Sequence, residues 1–462
     1  MKISLIQVGP NSKKYPFRSH PLGLMLLSAY VERELPGTEV NIWDMKVSGN
    51  GIGSAVEAAV ENNAEVVGLS AMSPHRLMLH RASALIRQAL PETFVVVGGP
   101  HATCSPAEVL EDENVDAAVF GDGERALVNI LSALRDGRSI DGIPAAGTRA
   151  HLAPDERAPF ENLDDLPFPA WNKVDFADYE RYSGFSVLGR RRYMSVLTSR
   201  ACPYQCIYCH NVFGKRFRSR SAENVLEELR TLVSDFGIRD FEIIDDVFNL
   251  DRNRAVAICE GILKEDLKVK LVFPNGLRSD LLDDELIELM KEAGTVFIAF
   301  AIETATPRLQ KLIRKNLDLD RARRAMKTAS KLGIFTNGFF MVGFPTETER
   351  ELRATVDFAL SSPLQITHFL KVTPFEGTQL HSMLSDEARD FVKRNPDESY
   401  YSKFNFNLSE VPARRFISIV RTAYLRFFFN PFRVISILRR HPYRLNLFWF
   451  AGTVFRRVFL RD

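Results

Sequence analysis

Short apolar runs and helix-length amphipathic segments take turns along this chain, and that alternation restricts it to α/β architectures built on parallel sheets. Over residues 1–136 the runs KISLIQV, EVNIWD, EVVGLS, FVVVGG and DAAVFGDGE are separated by segments such as PLGLMLLSAYVEREL, the stretch around Ala55 to Asn62, and RLMLHRASALIRQAL. The runs are apolar throughout, as strands are when both faces of their sheet are covered. A doubly wound, parallel-sheet domain is therefore predicted for residues 1–136. Such sheets bind ligands at the carboxyl ends of their strands, which here carry Asp44, Ser70, Gly98, Gly99 and the stretch Gly121 to Glu124.

Residues 137–190 lose this periodicity and include NLDDLPFPAWNKVDF, whose Pro and Asp read as an ordered interdomain linker. A second series starts near Tyr193 with YMSVLTS, FEIIDD, KLVFPN, VFIAFAIET, FTNGFFMVGF and ITHFLKVTP, most followed by a helical segment such as AENVLEELRTLVSDFG or DDELIELMKEAG. Six consecutive βα units over 191–380 predict a partial (β/α) barrel with its chemistry on the loops after the strands.

Residues 381–462 read as a C-terminal helical region whose end is basic and aromatic. Residues 411–462 hold eleven arginines, no lysine and one acid, Asp462, so a chain of net charge +2 carries +10 there and about −8 elsewhere. The longest uncharged run, Leu445 to Phe455, is far short of the ~20 residues that span a bilayer. Apolar residues and arginine at helical spacing suggest helices that lie in a membrane interface or close over a greasy substrate. The plainer alternative is helices packed on the barrel with solvated arginines. With the positive charge confined to this tail, no nucleic-acid partner is expected. The odd count of five cysteines, three of them clustered, points to a reducing compartment, and MKISLIQVGP is too short in apolar residues for a signal peptide. A cytoplasmic location is expected, with peripheral contact to the inner face of the membrane.

The clustered cysteines are Cys202, Cys206 and Cys209 in ACPYQCIYCH, just after the first strand of the second series. The spacing C-x3-C-x2-C can bind three irons of one cubane cluster and leaves the fourth open. A zinc site would need a fourth protein ligand, but His210 adjoins Cys209, and neighbouring residues rarely point at one metal. Cys104 and Cys259 lie in distant segments. Three buried structural thiols fit less well, because Pro203, Tyr204 and Gln205 read as a loop.

This spacing, with the aromatic Tyr208 before the last cysteine, resembles the radical S-adenosylmethionine (SAM) enzymes. The resemblance implies a 4Fe-4S cluster on Cys202, Cys206 and Cys209. SAM would be chelated by the open iron, and an electron donor such as ferredoxin or flavodoxin would drive its cleavage to methionine and a 5′-deoxyadenosyl radical. It also implies SAM contacts at Tyr208, at Asp245 and Asp246 after the second strand, and at Glu303 after the fourth, although a solvated loop or a helix cap would also account for the acids. GFPTET at 343–348 and TPFEGT at 373–378 resemble family loops near the site, though turn chemistry alone explains their Gly and Pro.

In the first domain, DMKVSG at 44–49, Ser70 to Met72, and Gly98 with Gly99 look like the cobalamin-binding pattern D-x-H-x-x-G, S-x-L, G-G. Lys46 stands where the pattern has histidine, and a protonated amine has no lone pair for cobalt, so cobalamin is expected without a histidine lower ligand. His75, His80 and His101 read as exposed or satisfied histidines before they read as ligands. With GDGE (Gly121 to Glu124) and the linker LDDLPFPAW, the resemblance covers roughly residues 1–380 and narrows to cobalamin-binding radical SAM enzymes, the class B methylases and the anaerobic porphyrin cyclase type. It implies methylation of an unactivated carbon of a hydrophobic substrate. The alternatives are a cyclase or rearrangement enzyme that transfers no methyl group, and a non-catalytic metal or cobalamin carrier.

Overall fold

The computed structural model describes residues 1–11, 18–49, 51–153, 157–394, 407–448 and 451–452. The chain divides into two compact units. One comprises Met1–Tyr179, His210–Arg218 and a stretch running from Phe375 through the helix Asp386–Arg394; the other holds Glu180–Cys209, Ser219–Pro374 and the C-terminal helices.

The first unit is built on β1 (Lys2–Gln7), β2 (Glu39–Asp44), β3 (Val66–Ser70), β4 (Phe94–Gly98), β5 (Ala117–Val119) and β6 (Ala146–Gly147), in the order β2-β1-β3-β4-β5-β6. All neighbours are parallel except β6. The two-residue period of a strand sends Val95 and Val97 into one buried cluster and Val96 into another, so the sheet is covered on both faces. That is why these runs carry no polar alternation. Chain order reverses between β1 and β3, which makes the carboxyl ends of these two strands the expected ligand crevice. Part of the linker packs here too, with Phe160 buried beside Tyr30 and its N–H bonded to Asp122 Oδ2 at 3.1 Å.

The second unit's main sheet runs β7 (Met194–Val196), β10 (Asp240–Ile243), β11 (Lys270–Leu277), β12 (Thr295–Glu303), β13 (Phe335–Val342) and β14 (Ile366–Lys371). Two short strands fall between β7 and β10 in the chain, β8 (Ser199–Arg200) and β9 (Arg218–Ser219). Every pairing in the main sheet is parallel and sequential, and β14 is not paired with β7, so the series stays open. The intervening helices follow from their caps. Ser221, Asp283, Asp318 and Thr348 each accept a first-turn N–H, and Gly237 ends the helix Ala222–Phe236 at φ +65°. The C-terminal helix Ala413–Phe428 buries Phe416, Ile419, Val420, Ala423, Tyr424 and Phe427. Tyr424 Oη takes the Phe369 N–H at 2.9 Å and bonds the Phe369 carbonyl at 3.2 Å, which caps the otherwise open edge of β14. Among the described residues no helix is long and apolar enough to cross a membrane.

Candidate cofactor sites

The loop that carries the thiol trio leaves β8 through Ala201, held at φ +71°, a left-handed conformation that costs a non-glycine residue about 1 kcal/mol or more. Its return is pinned at two points. Cys209 N–H bonds the Cys206 carbonyl at 3.1 Å, and Ile207 N–H bonds the Ile313 carbonyl beyond β12 at 3.2 Å. Cys202 and Cys206 are half-buried and Cys209 is exposed, so none serves as core packing. One tetrahedral zinc with bonds of about 2.3 Å would need sulfurs roughly 4 Å apart. Among the described residues the three sulfurs are not gathered as the donors of one small ion are, and thiolate is the usual ligand of an iron-sulfur cluster. His210, next to Cys209, turns Nδ1 toward Cys104 Sγ at 3.6 Å, and burial pushes the Cys259 thiol up to about 12. Neither behaves as a fourth ligand.

Around the trio lie groups of both signs. A β-bulge interrupts the register of β12 with β13 just before Glu303, which sits at φ +67°, is nearly buried and pairs with Lys315 Nζ at 3.0 Å. Burial alone would lower the Lys315 ammonium, but Glu303 and the Cys206 and Cys209 thiols outweigh it and hold it above its ordinary value. The Tyr208 hydroxyl is bonded to Cys206. Its pKa stands well above the usual phenol range, first through burial and then through Glu303 and the two thiols. Asp245 is saturated, accepting Thr198 N–H at 2.6 Å, Thr198 Oγ1 at 2.5 Å and Ser199 Oγ at 2.6 Å, so it fastens the end of β10 to that of β7. Asp246, one residue on, is exposed. Lys315 was missed by the sequence reading because it follows a helix, not a strand; its only signal is the break between Pro307–Leu312 and Leu319–Lys331.

After β13, Glu347 of GFPTET is fully buried. Its Oε2 accepts Gly343 N–H at 2.5 Å and Phe344 N–H at 3.2 Å, while Oε1 has no partner. Burial, only partly offset by those bonds, raises its carboxyl to about 7. A carboxyl raised above its unfolded value near 4.5 holds its proton more tightly in the fold. The stability it adds is therefore complete below that value and is lost as pH rises through about 7. Measured by urea unfolding, the stability of the wild type relative to Glu347→Gln should fall by roughly 3 kcal/mol between pH 5 and pH 8.

In the first unit, Asp44 ends the edge strand β2. Its Oδ1 caps Lys46 N–H at 2.9 Å, and its Oδ2 takes the Tyr179 hydroxyl at 2.9 Å and faces Lys46 Nζ at 3.6 Å. The Lys46 Nζ also donates to the Ser19 carbonyl at 3.2 Å. At the switch point lie the end of β1, with Val8 N–H bonded to the Ser70 carbonyl at 2.8 Å, and the small residues Ser70 and Ala71. Gly99 is at φ +84°, and a Cβ there would stand 2.5 Å from Ser70 Oγ. At Gly98 nothing lies closer than 3.8 Å to such a Cβ, which leaves room for a ligand chain to run along the backbone. The β1 loop was not singled out from sequence, because Val8-Gly9-Pro10 carries no polar signature.

GDGE divides its work. Asp122 forms a buried pair with Arg218 and accepts the Phe160 N–H, while Gly121 donates its N–H to Thr103 Oγ1 at 3.0 Å. Glu124 is buried in the first turn of the helix Glu124–Arg135. The donors of His80, His101 and Glu108 lie within 4.8 Å of one another. However, His80 is bonded to Asp112 at 2.8 Å and Glu108 is paired with Arg76 at 3.3 Å. Only His101 keeps two buried, unpartnered ring nitrogens, and burial lowers it to about 4, so it is neutral.

A profile of the B12 binding domain matches residues 11–131, and one of the radical SAM superfamily matches residues 196–359. The sequence is similar to an uncharacterized methyltransferase of Pyrococcus horikoshii, 28% identical over 91% of this chain and 90% of that one. It is similar also to cytidylyl-2-hydroxyethylphosphonate methyltransferase of Streptomyces wedmorensis, 27% identical over 84% and 81% of the two chains. The fold is similar to that of TsrM, a radical S-adenosylmethionine methyltransferase of Kitasatospora setae solved with cobalamin and a 4Fe-4S cluster. The TM-score is 0.68, with 21% identity over 82% of this chain and 76% of that one.

Proposed function

Since the chain is a cobalamin-binding radical SAM enzyme, its B12-binding domain preceding its radical SAM domain, we propose that it methylates an unactivated carbon of a small hydrophobic molecule. The observation that carries this reading is the presence in one chain of a thiol trio beside a Lys315–Glu303 pair and of a doubly wound sheet in which β4 ends at an uncrowded Gly98. When bound, the cluster supplies the electron that cleaves SAM, and cobalamin supplies a methyl carrier. Two relatives named as methyltransferases favour methyl transfer over cyclisation.

Cys202, Cys206 and Cys209 hold the cluster. Lys315 and Glu303, opposite charges 3.0 Å apart, match the carboxylate and ammonium of an amino acid, and we assign them to the methionyl end of SAM. Tyr208 and exposed Asp246 complete that site, and Asp245 acts through the strand ends it fastens. In the first unit Ser70, Gly98 and Gly99 line the cobalamin crevice, and neutral His101 offers it a polar contact. Asp44, Gly121 and Glu124 shape the strand ends around it, and Lys46, paired with Asp44, would give bound cobalamin no nitrogen from that loop. Residues 1–136 thus serve cobalamin and 191–380 the cluster and SAM, with 137–190 as the linker and 381–462 as an accessory region. Of that region, 395–406, 449–450 and 453–462 lie outside the described residues. We place the enzyme in the cytoplasm with ferredoxin or flavodoxin as electron donor and a peripheral membrane contact.

Protein reconstituted without oxygen and supplied with cobalamin, SAM, reductant and a lipid and pigment extract should produce 5′-deoxyadenosine and S-adenosylhomocysteine together. Deoxyadenosine alone would mean a cyclase or rearrangement enzyme, and neither product would mean a carrier.

A further inference from the structure

A surface helix of a soluble protein normally turns apolar residues inward and polar residues out. The helix Pro431–Arg440 does otherwise. Its inner face is anchored by Ile437, by Arg440, bonded to the Ser330 carbonyl at 2.5 Å, and by Arg433. The Arg433 guanidinium bonds the carbonyls of Leu360, Ser362 and Leu364 and lies 3.6 Å over the Phe427 ring. This anchoring fixes which side faces out, and that side is also apolar. Phe432, Ile435 and Leu438, three residues apart, are 82%, 45% and 51% exposed. The turn before the helix adds Phe429 at 64%, and the segment after it adds Leu445 at 97% and Phe448 at 93%. Single exposed apolar residues need no explanation, but a run of them on one side of one element does.

The exposed charge of the C-terminal helices themselves is of one sign. Arg414, Arg421, Arg426, Arg439 and Arg444 are exposed and have no acidic partner among the described residues. Arg426 and Phe429 line the same surface cleft, so cation and aromatic ring are adjacent. No acid interrupts residues 411–461. An exposed face of Phe, Ile and Leu with exposed arginines on the same and neighbouring segments has the chemistry of an interfacial helix that sinks its apolar side among acyl chains while arginines meet phosphates. We propose that the outer face of Pro431–Arg440, with Phe429, Leu445 and Phe448, docks the enzyme on an anionic lipid bilayer. The inference rests on the peripheral contact proposed for the enzyme and is independent of its radical chemistry.

Co-sedimentation of the reconstituted full chain, without SAM, tests it on vesicles of equal phosphatidylglycerol and phosphatidylcholine and on vesicles of phosphatidylcholine alone. Partitioning should be at least about tenfold stronger on the anionic vesicles and should weaken as salt is raised. Phe432→Asp combined with Leu438→Asp should reduce it at least about tenfold. Because both positions are exposed, the variant should melt with the wild type. Arg426→Glu with Arg439→Glu should abolish the preference for anionic vesicles while circular dichroism stays unchanged. Equal binding by wild type and the aspartate variant, no preference for anionic lipid, or capture of nucleic acid instead of vesicles would each overturn the proposal. Loss of SAM cleavage with vesicle binding intact would count against the radical reading and leave the docking face standing.

Discussion

Alanine at Cys202, Cys206 or Cys209 should yield a folded chain that binds no 4Fe-4S cluster and forms 5′-deoxyadenosine slower by a factor of at least about 10³. The fold should survive because all three thiols lie in a loop and none is buried, so the substitutions open no core cavity. Cys259→Ala supplies the contrast. That thiol is completely buried in the helix Arg252–Lys264, and its loss should cost about 1 kcal/mol or more of stability with iron content unchanged. Iron analysis and the visible absorbance of the reconstituted protein read the first effect, and urea unfolding reads the second. If an alanine variant of the trio kept full iron and full activity, the cluster assignment would be wrong.

A second large effect is expected at Lys315. Its ammonium and the Glu303 carboxylate are both nearly buried, so Lys315→Met would strand a charge in a low-dielectric setting, at a cost of about 3–5 kcal/mol. Adding Glu303→Gln removes that charge and should restore most of the stability. SAM cleavage should stay lost in the double variant, because neither end of the amino-acid moiety then has a charged partner. This split tells a ligand-binding pair from a structural one. A purely structural pair would recover activity together with stability, and SAM affinity measured by equilibrium dialysis would be unchanged.

Both sheets were legible from sequence because burial on two faces leaves an unmistakable pattern. Runs such as FVVVGG have no polar position to spare, and the helices between them carry caps such as Ser221 and Asp283. The thiol trio was legible because thiols at that spacing have few other uses. Less legible was the division of labour among the acids. Asp245 and Asp246 are adjacent and chemically identical, yet the first is consumed by Thr198 and Ser199 and only the second is exposed. Likewise Asp44 and Asp122 are spent on Tyr179 and Arg218, partners 135 and 96 residues away in the chain. Lys315 is similar: its importance lies in facing Glu303 across twelve residues and a turn, and no local pattern announces such a meeting. In the tail, sequence left open whether the helices lie in a membrane interface, close over a substrate or pack on the barrel with solvated arginines. The helix Ala413–Phe428 packs through Phe416, Ile419 and Tyr424, and in Pro431–Arg440 the Arg433 guanidinium, anchored to three carbonyls, determines which side is in.

The first unit is not one piece of chain. Its last contribution begins at Phe375, after the whole βα series of the second unit has been made. On the ribosome the N-terminal sheet can therefore form early but must wait for most of the protein before its remaining surface is covered, and during that interval it presents apolar area to chaperones. Meanwhile the strands of the second unit, which pair with their nearest neighbours in sequence, can assemble as they emerge, and the C-terminal helices complete that unit last. A nascent chain stalled near residue 370 should thus carry two unfinished halves, the first without the stretch from Phe375 and the second without the helix Ala413–Phe428, so limited proteolysis should digest both portions faster than in the full chain.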